Sequence, residues 1–442
     1  MSATNKIIHF FALKQSMVAL LAMVVLIGLG EKMAERFLPI YLLALGGGIM
    51  TVGLLNGMDN LLSALYSFPG GYFSDRLGTK RALALFNGIA MLGYAIVILF
   101  PYWQAVIIGS IFFLSWTAIS LPATMSLVAQ VLPANKRTMG VSMHSLVRRL
   151  PMALGPLLGG VMIQCFGERT GVRLSFAIAL ALALVSLALQ QAMIGDDAPR
   201  RRPWPSSGRP AEKNPLALWV RMAPELKQLL LSDILVRFAE QIPYAFVVIW
   251  CLKNNTISAV QFGMLTAIEM VTAMLIYVPV AWLADRGAKK PFVVITFFNF
   301  ALFPLILLFS HSFAMMTVAF VVRGLKEFGE PTRKALIMDL APEDQKAGMF
   351  GLYYLIRDVI VSIAAFGGAL LWMVSPATNF ITAFVCGLLG TIYFAIYGKD
   401  LGTGGQKTDD SPGRSAPAEP GRLRDGGNAT TEKHVECGAS SV

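Results

Sequence analysis

The chain has 442 residues, 55% of them apolar and only 14% charged, and its mean hydropathy is +0.62. Repeated apolar runs of about 20 residues exclude a soluble globular protein, and the lack of ten-residue alternation excludes a β-barrel. The balance of 37 basic against 26 acidic residues gives +11, yet the bases cluster between apolar runs as topology signals do, which sets nucleic-acid binding aside.

At the amino terminus Lys6 and Lys14 precede an apolar run, but no small-residue cleavage site ends it, so an uncleaved first span is expected. Apolar runs then fall at 16–45, 50–70, 82–101, 104–130, 139–163, 174–194, 224–250, 258–281, 291–310, 313–340, 348–373 and 377–397. Lipid offers no partner to backbone N–H and C=O groups, so each run is read as a helix. The class is an all-α membrane protein with twelve transmembrane helices. Between the sixth and seventh runs lies a Pro-, Arg- and Ser-rich linker, and after Lys399 the chain turns polar and Gly-rich, a composition that does not build a packed core. The expected domains are an amino-terminal six-helix bundle (1–195), a cytoplasmic linker (196–221), a carboxyl-terminal six-helix bundle (222–398) and a disordered cytoplasmic tail (399–442).

The positive residues give the orientation. Arg76, Lys80, Arg81, Lys136, Arg137, the linker arginines, Arg286, Lys289 and Lys290 share one side, while the other holds Arg169, Arg173 and Lys253. Both termini are therefore expected in the cytoplasm, with the protein in the cytoplasmic (inner) membrane. Cys165, Cys251, Cys386 and Cys437 have neither paired nor ligand-like spacing, so no disulfide framework and no metal site is expected. There is no GxxxxGK[ST] loop, HExxH or GxSxG, which argues against ATP-driven transport by this chain alone and against an intramembrane enzyme; no cofactor is expected.

The two halves repeat. Residues 53–80 align with 263–290 without a gap, pairing Gly53 with Gly263, Asp59 with Glu269, Pro69 with Pro279, Asp75 with Asp285 and Arg76 with Arg286. Further matches pair Pro122 and Pro133 with Pro331 and Pro342. Two pseudo-symmetric six-helix bundles are a transporter architecture.

The stretch Gly71-Tyr-Phe-Ser-Asp75-Arg76-Leu-Gly78-Thr-Lys80-Arg81, with a degenerate copy at 284–290, resembles the signature loop of the major facilitator superfamily, and with the duplicated pattern the resemblance covers 16–398. It implies a conformational latch in which Asp75 faces the start of the eleventh helix near Ala347, where a helix amino terminus favours negative charge. Arg76 would meet an acid at the end of the fourth span, but Gln130 stands there; its repeat mate is Asp339, so the resemblance implies a complete charged latch only in the Arg286 half. Asp59, Glu269 and Asp285 join these as gating candidates. Gly155-Pro156-Leu-Leu-Gly159-Gly160 is similar to the core of the motif of exporting members, although small residues also let helices touch.

Charge within the spans points to a site. The stretch 321–337 carries Arg323, Lys326, Glu327, Glu330, Arg333 and Lys334, yet 315–342 aligns onto the nearly charge-free 106–133 and so is expected to span. At about 100° per residue, Arg323, Lys326, Glu327 and Glu330 fall within a roughly 100° arc. Asp233, Arg237 and Glu240 share a face of the seventh span; Glu31 and Glu35 form one stripe of the first, with Lys32 and Arg36 beside it; Arg148, Arg149, Arg357 and Asp358 add charge to the fifth and eleventh. The interiors of the third, sixth, ninth and twelfth spans carry none. Because an ionisable group facing lipid costs roughly 2.5–3.5 kcal/mol or more, these charges are expected to face inward. The superfamily resemblance places the first, fourth, seventh and tenth helices around a central cavity.

Two readings of each charge stand: an inter-helix ion pair, or a solute- or proton-handling group. Glu35, Glu240 and Glu327 are the expected proton sites, and the arginines favour an anionic or zwitterionic solute. The expected function is secondary active transport of a small organic solute by alternating access, coupled to protons, by a monomer in contact with membrane lipid. A drug or metabolite exporter working by proton antiport and a non-transporting sensor or scaffold are the alternatives.

Overall fold

The computed structural model describes residues 15–114, 116, 120, 124, 147–194, 215–284, 289–342 and 346–399. The amino-terminal segment, most of the fourth span with Gln130, Asp285, Arg286, most of the linker and the tail lie outside the described residues. Among the described residues there is no strand.

The described parts of the twelve runs are helices, in the two-bundle arrangement. The first span is Gln15–Glu35 followed by Leu38–Ala44, the second Ile49–Leu77, the third Thr79–Leu99, and the described part of the fourth Trp103–Phe113. The fifth and sixth share Arg149–Met193, which reverses at Gly167. After a short helix, Pro215–Arg221, the seventh span comprises Pro224–Gln241, Phe246–Ile249 and a π-helical turn Trp250–Asn254. Ala259–Ala284, Lys290–Leu308, Phe313–Leu325 with Glu330–Leu340, Lys346–Val374 and Pro376–Tyr397 complete the eighth to twelfth.

The sequence places a loop at 164–173, where the structure instead continues helix to either side of one residue. Gly167 has φ 77°, a conformation that glycine adopts without steric cost, so the reversal needs no longer connection.

The halves meet by close backbone approach, as helices do where lipid supplies no hydrophobic drive. The second span lies against the eleventh, so that a Cβ on Gly53 would sit 2.4 Å from that of Ala369. The fifth span is held between the first and the eighth: a Cβ on Gly159 would lie 2.0 Å from the Met33 carbonyl oxygen, and one on Gly160 2.4 Å from that of Ala259. The glycines of the GPLLGG stretch thus have a packing role. These approaches lie toward the face carrying the turns at 45–48, 167 and 255–258. There Lys253 also meets Glu168 at 2.5 Å, and Phe246 stacks on Trp372 with ring centroids 4.9 Å apart.

Candidate functional site

Three spans break where the charges gather, and each break carries a proline. Pro39 lies in the first turn of Leu38–Ala44, Pro331 in the first turn of Glu330–Leu340, and Pro243 in the turn after Gln241. Proline supplies no N–H to a helix, and such interruptions are tolerated at bilayer depth only where protein or a cavity surrounds them. At the seventh-span break the Gln241 carbonyl accepts a hydrogen bond from Asn56 at 2.8 Å, and the Ile242 carbonyl accepts one from Asn379 at 3.3 Å. Asn60 donates to the Gln241 side chain at 3.1 Å. The second span is thereby tied across the seam to the seventh.

In the carboxyl-terminal half, acids and bases alternate in one connected ladder. Arg357 binds Asp358 at 2.7 Å and approaches Asp233 at 3.4 Å. Asp233, fully buried, also pairs with Arg333, accepts a hydrogen bond from the Tyr353 hydroxyl at 3.0 Å, and has Arg237 3.8 Å away. Arg333 continues to Glu330 at 2.6 Å, Glu330 to Arg237 at 3.4 Å, and Arg237 to Glu240 at 2.6 Å. Lys326 joins Glu240 at 2.7 Å to Glu269 at 3.4 Å, and Arg323 closes the series on Glu269 at 3.2 Å. Aromatic faces cover the cations: Arg357 lies 4.2 Å from the centroid of Tyr354, Arg237 5.0 Å from Phe300 and Arg323 4.8 Å from Phe303. Five carboxylates and five cations interleave, so the ladder is close to neutral, and most of its side chains are buried.

The first span is organised differently. Lys32 sits between two acids, 3.1 Å from Glu31 and paired with Glu35. Glu31 is buried, with one carboxylate oxygen lacking a hydrogen-bond partner, and it lines a cavity with Lys32, Trp116, Ser120, Thr124 and Arg148. Glu35 and Arg36 line a second cavity at the seam of the halves, together with Asp59, Tyr244, Phe262 and Arg323. Arg36 lies 5.1 Å from the centroid of Tyr244, which comes from the other half. Arg36 and Asp59 make neither a hydrogen bond nor an ion pair among the described residues. Among the described residues, Arg149 of the first half pairs with Glu327 of the second at 2.9 Å.

The chain matches the family model of the Major Facilitator Superfamily over residues 20–233 and again over 229–427. It belongs to that superfamily. Among curated relatives it is similar to the uncharacterised MFS-type transporter YfkF of Bacillus subtilis, 29% identical over 153 residues that make up 34% of this chain and 38% of that protein. That match thus spans well under two thirds of the relative. A second relative, the uncharacterised MFS-type transporter MJ1317 of Methanocaldococcus jannaschii, is 20% identical over 373 residues, 82% of this chain and 90% of that protein. In fold, the chain is similar to the crystal structure of the peptide transporter POT in complex with sulfate, with a TM-score of 0.71, 14% identity, and coverage of 87% of this chain and 93% of that one.

As in the superfamily's two-bundle architecture, the signature loop lies at the end of the second span. Gly71 and Asp75 fall in its last turns, Arg76 is exposed there, and Gly78, with φ 83°, makes the turn into the third span, which begins with Thr79, Lys80 and Arg81. In the second copy Asp339 meets Lys289 at 2.5 Å. Asp285 and Arg286, expected in this latch, lie outside the described residues.

Two features escaped the sequence reading. On an unbroken tenth helix at about 100° per residue, Lys334 would fall inside the charged arc and Arg333 at its margin. The break after Leu325 re-phases the second segment, so that Arg333 is 1% exposed and Lys334 51%. Arg333 is the centre of the ladder, and its signal in the sequence is Pro331. The second omission is the aromatic set Tyr244, Tyr353 and Tyr354, which no charge pattern marks. Asp59 and Glu269, matched by the repeat, also differ: Glu269 has two cations, Asp59 none.

Proposed function

We propose that this transporter is a secondary active carrier of a small organic solute, anionic or zwitterionic, that works by alternating access and is coupled to protons. The observation that carries this reading is the seam cavity, to which the amino-terminal half contributes Arg36 and Asp59 and the carboxyl-terminal half Tyr244 and Arg323. Groups from both halves around one site let a rocking motion change what the solute touches. The halves, 1–195 and 222–398, move as two bodies joined by the linker 196–221. The contacts near Gly53, Gly160 and Lys253 hold one face shut, and the cavity opens to the other.

Proton coupling resides in acids whose base is lost when the halves part. Glu327 qualifies, because its partner Arg149 belongs to the other half; Glu35 qualifies through its place on the cavity wall. Glu240, held by Arg237 and Lys326 within one half, serves the ladder instead. The chain acts as a monomer in the cytoplasmic membrane with both termini inside.

The test is solute-dependent proton movement in vesicles carrying the purified full chain, read with a trapped pH dye against a panel of organic anions, amino acids and amphiphilic drugs. Signal with at least one solute, lost in Glu327→Gln and reduced in Glu35→Gln, is expected. Full coupling in both variants would move the proton sites elsewhere, and silence with every solute in the native chain would remove the carrier reading.

A further inference from the structure

The seam cavity holds two kinds of charge. Glu35 is neutralised by Lys32 and Arg323 by Glu269, each through a direct ion pair. Arg36 and Asp59 face the same cavity with no ion pair or hydrogen bond among the described residues, to each other or to any third group. Both are half-buried, at a depth where the desolvation of a lone charge is costly. One positive and one negative group, neither of them ion-paired, form a complementary pattern for a ligand that bears both signs.

The geometry of Arg36 narrows the chemistry. The Tyr244 ring covers its guanidinium at 5.1 Å, so the ring takes up the face and leaves the N–H edge to a bidentate oxyanion, the geometry in which guanidinium meets a carboxylate. A simple anion there would lie beside the Asp59 carboxylate, and a simple cation on Asp59 would lie beside Arg36. A zwitterion offsets both. The wall also carries Glu35, Asn56 and Arg323, and its apolar part includes Leu55, Val248 and Phe262.

We infer that the carried solute is a small zwitterion with an apolar body, its carboxylate on Arg36 and its ammonium on Asp59, as an apolar α-amino acid would present them. The inference rests on the carrier reading above and adds the substrate class to it.

Three related probes test it on the purified full chain by equilibrium binding and thermal shift: L-phenylalanine, 2-phenylethylamine, which lacks the carboxylate, and 3-phenylpropionate, which lacks the ammonium. L-leucine and L-methionine repeat the zwitterion with other bodies. At least one amino acid should bind, and removing either charged group from phenylalanine should weaken binding about tenfold or more. In Asp59→Asn the preference for phenylalanine over 3-phenylpropionate should collapse, and in Arg36→Gln the preference over 2-phenylethylamine. Arg36→Lys keeps the charge while losing the bidentate edge, and should bind more weakly than the native chain yet retain some preference. Reading a ratio between probes on protein that elutes as native separates recognition from folding. Equal binding of 3-phenylpropionate and phenylalanine, or unchanged ratios in Asp59→Asn, overturns the inference. Failure of all three amino acids while vesicles move another solute overturns it and leaves the carrier reading standing; failure of every solute in vesicles removes both.

Discussion

Asp233 on the seventh span and Asp59 on the second are both acids at bilayer depth, yet Asp233 has Arg333, Arg357, Arg237 and Tyr353 around it, whereas Asp59 has no ionic partner among the described residues. The carboxyl-terminal half spends its charges on one another, in a ladder joining the seventh, eighth, tenth and eleventh spans. Around the first span, Arg36 and Asp59 make no ion pair among the described residues beside the seam cavity, and Glu31 has one carboxylate oxygen without a hydrogen bond; both oxygens of Glu269, within the ladder, also lack one. The difference separates charge that holds helices together from charge available to something that enters and leaves. Counting ionisable residues per span does not separate them; the presence of a partner does.

The largest expected effect breaks the ladder. Asp233→Ala leaves Arg333 and Arg357 buried without their shared acid, and removal of one partner from a buried pair costs about 3–5 kcal/mol. Thermal and chemical unfolding in detergent should show this, while Asp59→Asn should unfold within about 0.5 kcal/mol of the native chain. Equal stability of both variants would erase the distinction between the two regions.

An intermediate effect belongs to the pair that crosses the seam. A double-mutant cycle on Arg149 and Glu327, read as unfolding in detergent, should give a coupling energy of about 0.5–3 kcal/mol. Additive single and double variants would show that the two side chains act independently.

The smallest effect on stability belongs to Lys253 and Glu168, which meet between the turns near 167 and 255–258 and are both partly exposed. An exposed pair is worth about 0–1 kcal/mol, so Lys253→Ala should barely change unfolding. Its readout is the population of the two access states: thiol labelling of cavity positions from the closed face should rise. Unchanged labelling would assign the pair no gating role.

Much of this was legible beforehand. Helix number and the repeat follow from hydropathy and spacing, and the burial of the charges from the cost of exposing charge to lipid. Seven described helices are long and apolar enough to cross a membrane by length and composition. Pairing was not legible. Projection on regular helices misplaces Arg333 and Lys334, because the break at 326–329 resets the phase. The contrast between Asp59 and Glu269 depends on Arg323 and Lys326, more than 50 residues further along the chain than Glu269.

The most direct measurement is side-chain access to a charged, membrane-impermeant thiol reagent. In a chain with Cys165, Cys251, Cys386 and Cys437 replaced by serine, single cysteines would be placed at Asp59 and Val248 in the seam cavity and at Leu275, which is 72% exposed on the outer surface of the eighth span. Labelling of the cysteines at 59 and 248 from the water on one face, with none at 275, is the predicted result. Protection at 59 and 248 from both faces, together with quenching of a probe there by brominated lipid, would show that these side chains face acyl chains and would contradict the account.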